Sequence, residues 1–127
     1  MAHLYSFEKL EVWNEARHLV VWLYKVTSSF PADEKFGLTM QLRRASISVV
    51  SNLAEGSARK TAKDQAYFTN IAYSSLVEIL NQLIIATDLN FITKDVLSEG
   101  RLKIEHLTQK VAGLRKAQLA NASSTKL

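Results

Sequence analysis

The sequence predicts an all-α protein, an antiparallel up-down four-helix bundle, and three observations predict it. The chain holds one proline and four glycines in 127 residues, so little interrupts a helix. No alternation of apolar and polar residues persists long enough for a strand. Apolar positions recur instead at three- and four-residue steps, the period of a helix with one face on a core.

Local signals bound each helix. The first starts after Ser6 or Phe7 and runs to about Ser29, where Phe30-Pro31 stops it, because the residue before proline is pushed out of the α region. The second opens within Asp33 to Leu38 and ends at Gly56, expected in the left-handed conformation just past a helix. Thr61 followed by Asp64 resembles a capping box for the third helix, which runs to Asp88 or Leu89 and stops at Asn90. Thr93 caps the fourth, which extends to about Leu119. Residues 1–119 thus read as one domain, and 120–127 as a frayed, small and polar tail. Connections this short make sequential helices antiparallel neighbours.

Composition narrows the function classes. A hydrophobic fraction of 47% is ordinary for a globular protein and too high for a disordered one. With no cysteine, disulfides, thiolate zinc sites and cysteine nucleophiles are excluded. Met1 to Glu11 has no continuous apolar stretch and does not read as a signal peptide. The longest apolar run, around Leu83 to Ala86, falls far short of the roughly 20 residues that span a bilayer. A cytoplasmic protein with no membrane partner is expected. The net charge of +4 leans weakly towards polyanionic partners.

The distribution of apolar residues over the helix faces carries further information. The first helix has a stripe of Val12, Ala16, Leu19, Leu23, Val26 and Phe30, and a narrower one of Trp13, Val20 and Tyr24. The fourth has a single stripe, Val96, Gly100, Ile104, Leu107, Val111 and Leu114, as a peripheral amphipathic helix does. The second helix has two: Leu38, Leu42, Ala45, Val49 and Leu53 on one face, and Phe36, Met40, Ile47, Val50 and Ala54 on another. The third likewise sets Phe68, Ile71, Ala72, Ile79, Leu83 and Ala86 against Tyr73, Leu76, Leu80 and Ile84. Two apolar faces on both central helices imply a second burial partner, most simply another copy of the chain. Met40, Ile47, Val50, Leu80 and Ile84 are the expected interface. A skewed bundle that covers both faces itself is the alternative.

Polar residues on these helices have two readings each. Arg44, Ser48, Ser51 and Glu55, spaced four, three and four apart, form one line along the second helix. Such a ladder either orients neighbouring subunits or is a solvated face with a small-residue seam. Arg43 projects towards the second apolar face, where it must snorkel or find a carboxylate, with Glu78 the candidate. Arg59, Lys60 and Lys63 cluster where the second helix turns into the third. Positive charge there opposes the helix dipole, so the cluster suits phosphate; the competing reading is a solvated basic loop. His3, His18 and His106 lie in separate segments, and Glu15/His18 lacks the duplicate that a di-iron bundle requires. No catalytic set, metal site or cofactor is expected.

Several motifs, in order, give this sequence a family resemblance. They are Phe7-Glu8-Lys9-Leu10-Glu11-Val12-Trp13, Phe30-Pro31, Glu34-Lys35-Phe36-Gly37-Leu38 and Gln41-Leu42-Arg43-Arg44-Ala45. Ser51-Asn52-Leu53-Ala54-Glu55-Gly56 and Arg59-Lys60 follow, then Ile71-Ala72, Ser75-Leu76, Glu78, Gln82-Leu83 and Ile85-Ala86. Over about residues 7 to 92 the chain resembles the four-helix-bundle proteins of the 23S rRNA intervening-sequence family, related to the accessory variability proteins of retroelements. The resemblance implies a homopentameric ring. It also singles out Arg43, Arg44, Asn52, Glu55, Arg59 and Lys60 as motif positions. The chain departs at Val50, where the family usually has proline, and a straighter second helix is expected here.

Together these readings lead to a non-enzymatic, oligomeric binding protein that contacts nucleic acid (RNA or DNA) through phosphate-directed basic residues. The alternative is a scaffold that docks a partner protein through its second apolar faces.

Overall fold

In the computed structural model, which describes residues 2–124, helix α1 spans Glu11–Thr27, α2 Leu38–Ser57, α3 Ala62–Asp88 and α4 Lys94–Ser124. Short 3₁₀ turns at Ser6–Lys9 and Ala32–Glu34 precede α1 and α2, and the described residues contain no strand. Each helix packs on its neighbours in sequence, and α4 closes against α1, as in an up-down bundle.

Local chemistry explains most ends. The Thr61 hydroxyl accepts from the Asp64 N–H at 3.2 Å, and Thr93 accepts from the Val96 N–H at 3.2 Å. Each satisfies a backbone donor that a helix start leaves without a partner. Asn90 has a φ of 63°. Its N–H bonds Thr87 O at 3.0 Å and the Phe91 N–H bonds Ala86 O at 2.9 Å, the pair of bonds that closes a helix through a left-handed residue. Phe91 then turns inward, 5.4 Å from the ring of Phe30.

Three ends differ from the sequence-based expectation. The first helix begins later, because the chain makes a 3₁₀ turn and an extended step at Leu10 before α1. Gly56 is not a left-handed terminator: α2 runs through it, and no glycine has a positive φ. A Cβ on this buried Gly56 would lie 3.2 Å from both Gln65 O and Phe68 Cβ, so its missing side chain lets α3 approach α2. The fourth helix continues past Leu119 to Ser124. Its end is tied down by buried Gln118, which accepts from Thr69 of α3 at 2.8 Å. Residues 120–124 are therefore helical rather than a frayed tail, and 125–127 lie outside the described residues.

The core follows the predicted main stripes. Val12-Ala16-Leu19-Leu23, Leu42-Ala45-Val49-Leu53, Leu76-Ile79-Leu83-Ala86 and Ile104-Leu107-Val111 are all buried, at three- and four-residue steps. That spacing keeps one seam facing the bundle axis along its length. Fully burying each leucine or isoleucine contributes about 1.5–3 kcal/mol. Gly100 belongs to the same layer. A Cβ there would lie 2.8 Å from Cη2 of Trp22 and 2.9 Å from Cδ1 of Leu83, so side chains of α1 and α3 pack directly on the α4 backbone at this point.

The second apolar faces are partly consumed within the chain. Leu76 is wholly buried, not on an outer face, and Val50 and Leu80 pack half-buried against the core. The cause is the position of α3 between α2 and α4, both of which it contacts extensively; its apolar arc must be wide to serve both. Helix α2 is continuous through Val50. None of the helices among the described residues is long and apolar enough to cross a membrane.

Candidate functional site

The turn from α2 into α3 carries the predicted basic cluster, and its members have different surroundings. The Arg59 guanidinium is held by Glu55 at 2.6 Å, one helical turn back, and lies over the ring of Phe68, 4.4 Å from its centroid. The Arg59 carbonyl also accepts from the side chain of Gln65 at 3.1 Å. Arg59 is thus a brace across the turn. Lys60 and Lys63 are exposed and take no part in the ion pairs of the described residues. They flank a groove of about 500 Å³ that is completed by Thr61, Gln65 and, from the last turns of α4, Asn121. The structure therefore brings Lys60 and Lys63 together on one groove outside the ion pairs of the described residues, while Arg59, though exposed, is paired with Glu55. Nothing in the sequence pointed to Asn121, because the α3–α4 register places it there.

The polar residues of α2 resolve separately. Arg43 does not reach Glu78. Its Nε donates to the Thr27 hydroxyl at 2.9 Å, its Nη2 to Tyr24 O at 3.3 Å, and its guanidinium stacks on the Tyr24 ring at 4.5 Å. Thr27 and Tyr24 lie in the last turn of α1, whose carbonyls favour a cation; an antiparallel α1–α2 hairpin puts Arg43 beside them. Glu78 is exposed and lines a shallow groove with Gln41, Arg44 and Ser48. Asn52 donates to Ser48 O at 2.8 Å and Ser48 Oγ at 3.0 Å within α2. The Ser48 hydroxyl meets Ser75 of α3 at 2.9 Å. Ser48 is thus the small-residue seam between α2 and α3, while Arg44, Ser51 and Glu55 remain exposed.

Of the expected interface residues, Ile47 is 43% exposed, whereas Met40, Val50, Leu80 and Ile84 are half-buried. Ile47 joins two adjoining grooves of about 530 and 460 Å³ that share Tyr24. Val21 and Lys25 line one, and Phe36, Met40 and Arg43 the other. Phe36 stands on the turn before α2 and is 77% exposed. The outer face shared by α1 and α2 is therefore more apolar than periodicity on α2 alone suggested.

His18 and His106 are not as separate in space as in sequence, whereas His3 lies apart against Tyr5. His106 of α4 bonds Glu15 of α1 at 2.5 Å, and His18 lines the same groove. Lys110 binds Glu15 at 2.6 Å and also Glu11. Lys110 holds the Glu15 carboxyl below the ordinary glutamate range, aided by His106 and Glu11. Glu11 and Glu15 in turn raise Lys110. The cluster ties α1 to α4, and the described residues contain no group of three or more His, Asp or Glu arranged to hold a metal ion.

A family model described as 23S rRNA-intervening sequence protein matches residues 8–113. A solved structure from Bacteroides thetaiotaomicron, titled as a protein of unknown function from the S23 ribosomal protein family, shares 18% identity. It covers 87% of this chain and 97% of its own, with a TM-score of 0.59, a likeness of fold. No curated protein matches the chain.

Proposed function

We propose, from the premise that the chain belongs to the 23S rRNA-intervening sequence protein family, that it is an oligomeric binding protein contacting nucleic acid through Lys60 and Lys63. One observation carries this reading: two exposed lysines, with no carboxylate partner among the described residues, flank a groove of about 500 Å³. Cations left unpaired on a folded surface are available to phosphates, and each phosphate neutralised releases counterions. Contacts of this kind position a nucleic acid without reading its sequence. A homopentameric ring would repeat the pair into a belt of positive charge and raise affinity by multivalency. The apolar α1–α2 face, with Ile47 and Phe36, is the proposed contact between copies in such a ring. The reading is of a cytoplasmic binding protein rather than an enzyme. The cluster of Glu11, Glu15, His106 and Lys110 is engaged in joining α1 to α4.

Fluorescence anisotropy of the purified protein against structured RNA and duplex DNA at two salt concentrations tests this. Binding that weakens with salt and is lost in Lys60→Glu/Lys63→Glu supports it. Absence of binding at low salt overturns it. Capture of a protein partner by the Phe36 and Ile47 surface, unaffected by salt, would instead favour a docking scaffold, a reading supported by the exposure of those two side chains.

A further inference from the structure

We propose that Tyr67 is a stacking platform for an unpaired base, so that the nucleic acid held by this surface is single-stranded. The inference rests on the nucleic-acid reading above and adds the class of ligand. Tyr67 follows Lys63 by one helical turn on α3, a spacing that places the two side chains on one face, with Cβ atoms about 5–6 Å apart. Tyr67 is 63% exposed, so most of its surface is open to a ligand.

The ring is nevertheless well supported. Phe68 meets it edge-to-face, with centroids 5.2 Å apart and planes at 88°. Phe68 is itself pinned by the Arg59 guanidinium at 4.4 Å, which Glu55 fixes at 2.6 Å. A Glu55–Arg59–Phe68 stack thus braces Tyr67, and Lys63, one helical turn before Tyr67, takes no part in the ion pairs of the described residues. A supported, exposed aromatic ring beside free cations is what single-strand binders use: the ring takes a base face and the cations take the flanking phosphates. A duplex offers no free base face away from its ends, so it would engage the lysines alone.

Anisotropy titrations with labelled oligouridine and with its oligoadenine duplex of equal length, on the full chain at one salt concentration, test this. Single-strand binding should be tighter than duplex binding. Tyr67→Ala should weaken it by about tenfold, given the usual contribution of one stacked base, and should leave duplex binding unchanged. Tyr67→Phe should retain wild-type affinity, since only the ring face is required. Lys60→Glu/Lys63→Glu should weaken both. Equal affinity for the two probes, with Tyr67→Ala without effect, would overturn the stacking inference while the lysine variant still supported the phosphate reading. A change of molar mass in Tyr67→Ala without change in oligouridine affinity would also overturn it and assign Tyr67 to a contact between copies. Failure to bind either probe would overturn the nucleic-acid reading itself.

Discussion

Arg43 lies over the ring of Tyr24, with the guanidinium carbon 4.5 Å from the ring centroid. The same guanidinium bonds the Tyr24 carbonyl and the Thr27 hydroxyl, so one α2 side chain closes the last turn of α1. Charged hydrogen bonds of this kind contribute about 1.5–3 kcal/mol. Arg43→Ala is expected to lower stability by about 2 kcal/mol in urea unfolding. Arg43→Lys should recover only part, because an ammonium lacks the planar fork that bonds and stacks together. Glu78→Ala should shift stability by under about 0.5 kcal/mol, as for an exposed residue outside any such contact. A large Glu78→Ala loss would restore the Arg43–Glu78 pair to consideration.

Gly100 and Gly113 lie on the same helix and should respond to alanine in opposite directions. At Gly100 the added carbon meets Trp22 and Leu83 below 3 Å, and overpacking of a core layer costs about 1–3 kcal/mol. At Gly113 nothing lies within 4 Å, and alanine relieves a mid-helix glycine of about 0.5–1 kcal/mol. Thermal unfolding of the two variants gives the comparison, and a stabilised Gly100→Ala would contradict the close α4–α1 approach.

The Glu15–Lys110 pair predicts a signed pH dependence. Glu15 is held below its ordinary range in the folded state, first by Lys110. Its contribution is therefore complete above the unfolded value of about 4.3 and is lost as pH falls through the lowered value. Lys110 is raised by Glu11 and Glu15, so its contribution holds below about 10.4 and is lost as pH rises through the raised value. The stability gap between the wild type and Glu15→Gln should shrink on acidification below about pH 4, and with added salt at neutral pH. A gap constant from pH 7 to 3 would show that the pair adds nothing.

Ile47→Glu tests the proposed contact between copies. Ile47 is exposed, so the charge should leave the helical circular-dichroism spectrum intact. Light scattering should show the wild type as a multiple of the chain mass and the variant as one chain. A wild type of single-chain mass, or a variant assembly of unchanged mass, would each refute that contact.

The ends of α3 and the start of α4 were legible because the forces there are local. Thr61, Asn90 and Thr93 act on backbone groups within a few residues, and helix geometry follows from them. The stripes were legible for the same reason, since periodicity along one chain shows which residues share a face. Arg43, Arg59 and Gln118 were harder to read. Their partners (Thr27, Phe68 and Thr69) sit on other helices, and the axial register between helices is absent from any one segment. Thr27 was within reach: a hairpin turning between Pro31 and Gly37 sets it opposite the stretch that holds Arg43.

The sequence by itself determined four helices, their order and direction, and most of the residues that face the axis (Leu76 was set on the wrong face), because backbone capping and apolar periodicity act within each helix. Only the tertiary structure decided which cations are free. Arg59 is paired with Glu55 and lies over the Phe68 ring, while the turn leaves Lys60 and Lys63 beside Asn121 from the far end of the chain. It also decided how much of each second apolar face is spent inside the bundle, through the position of α3 between two neighbours. Side-chain partnership depends on distance in space, and that is set only when helices pack.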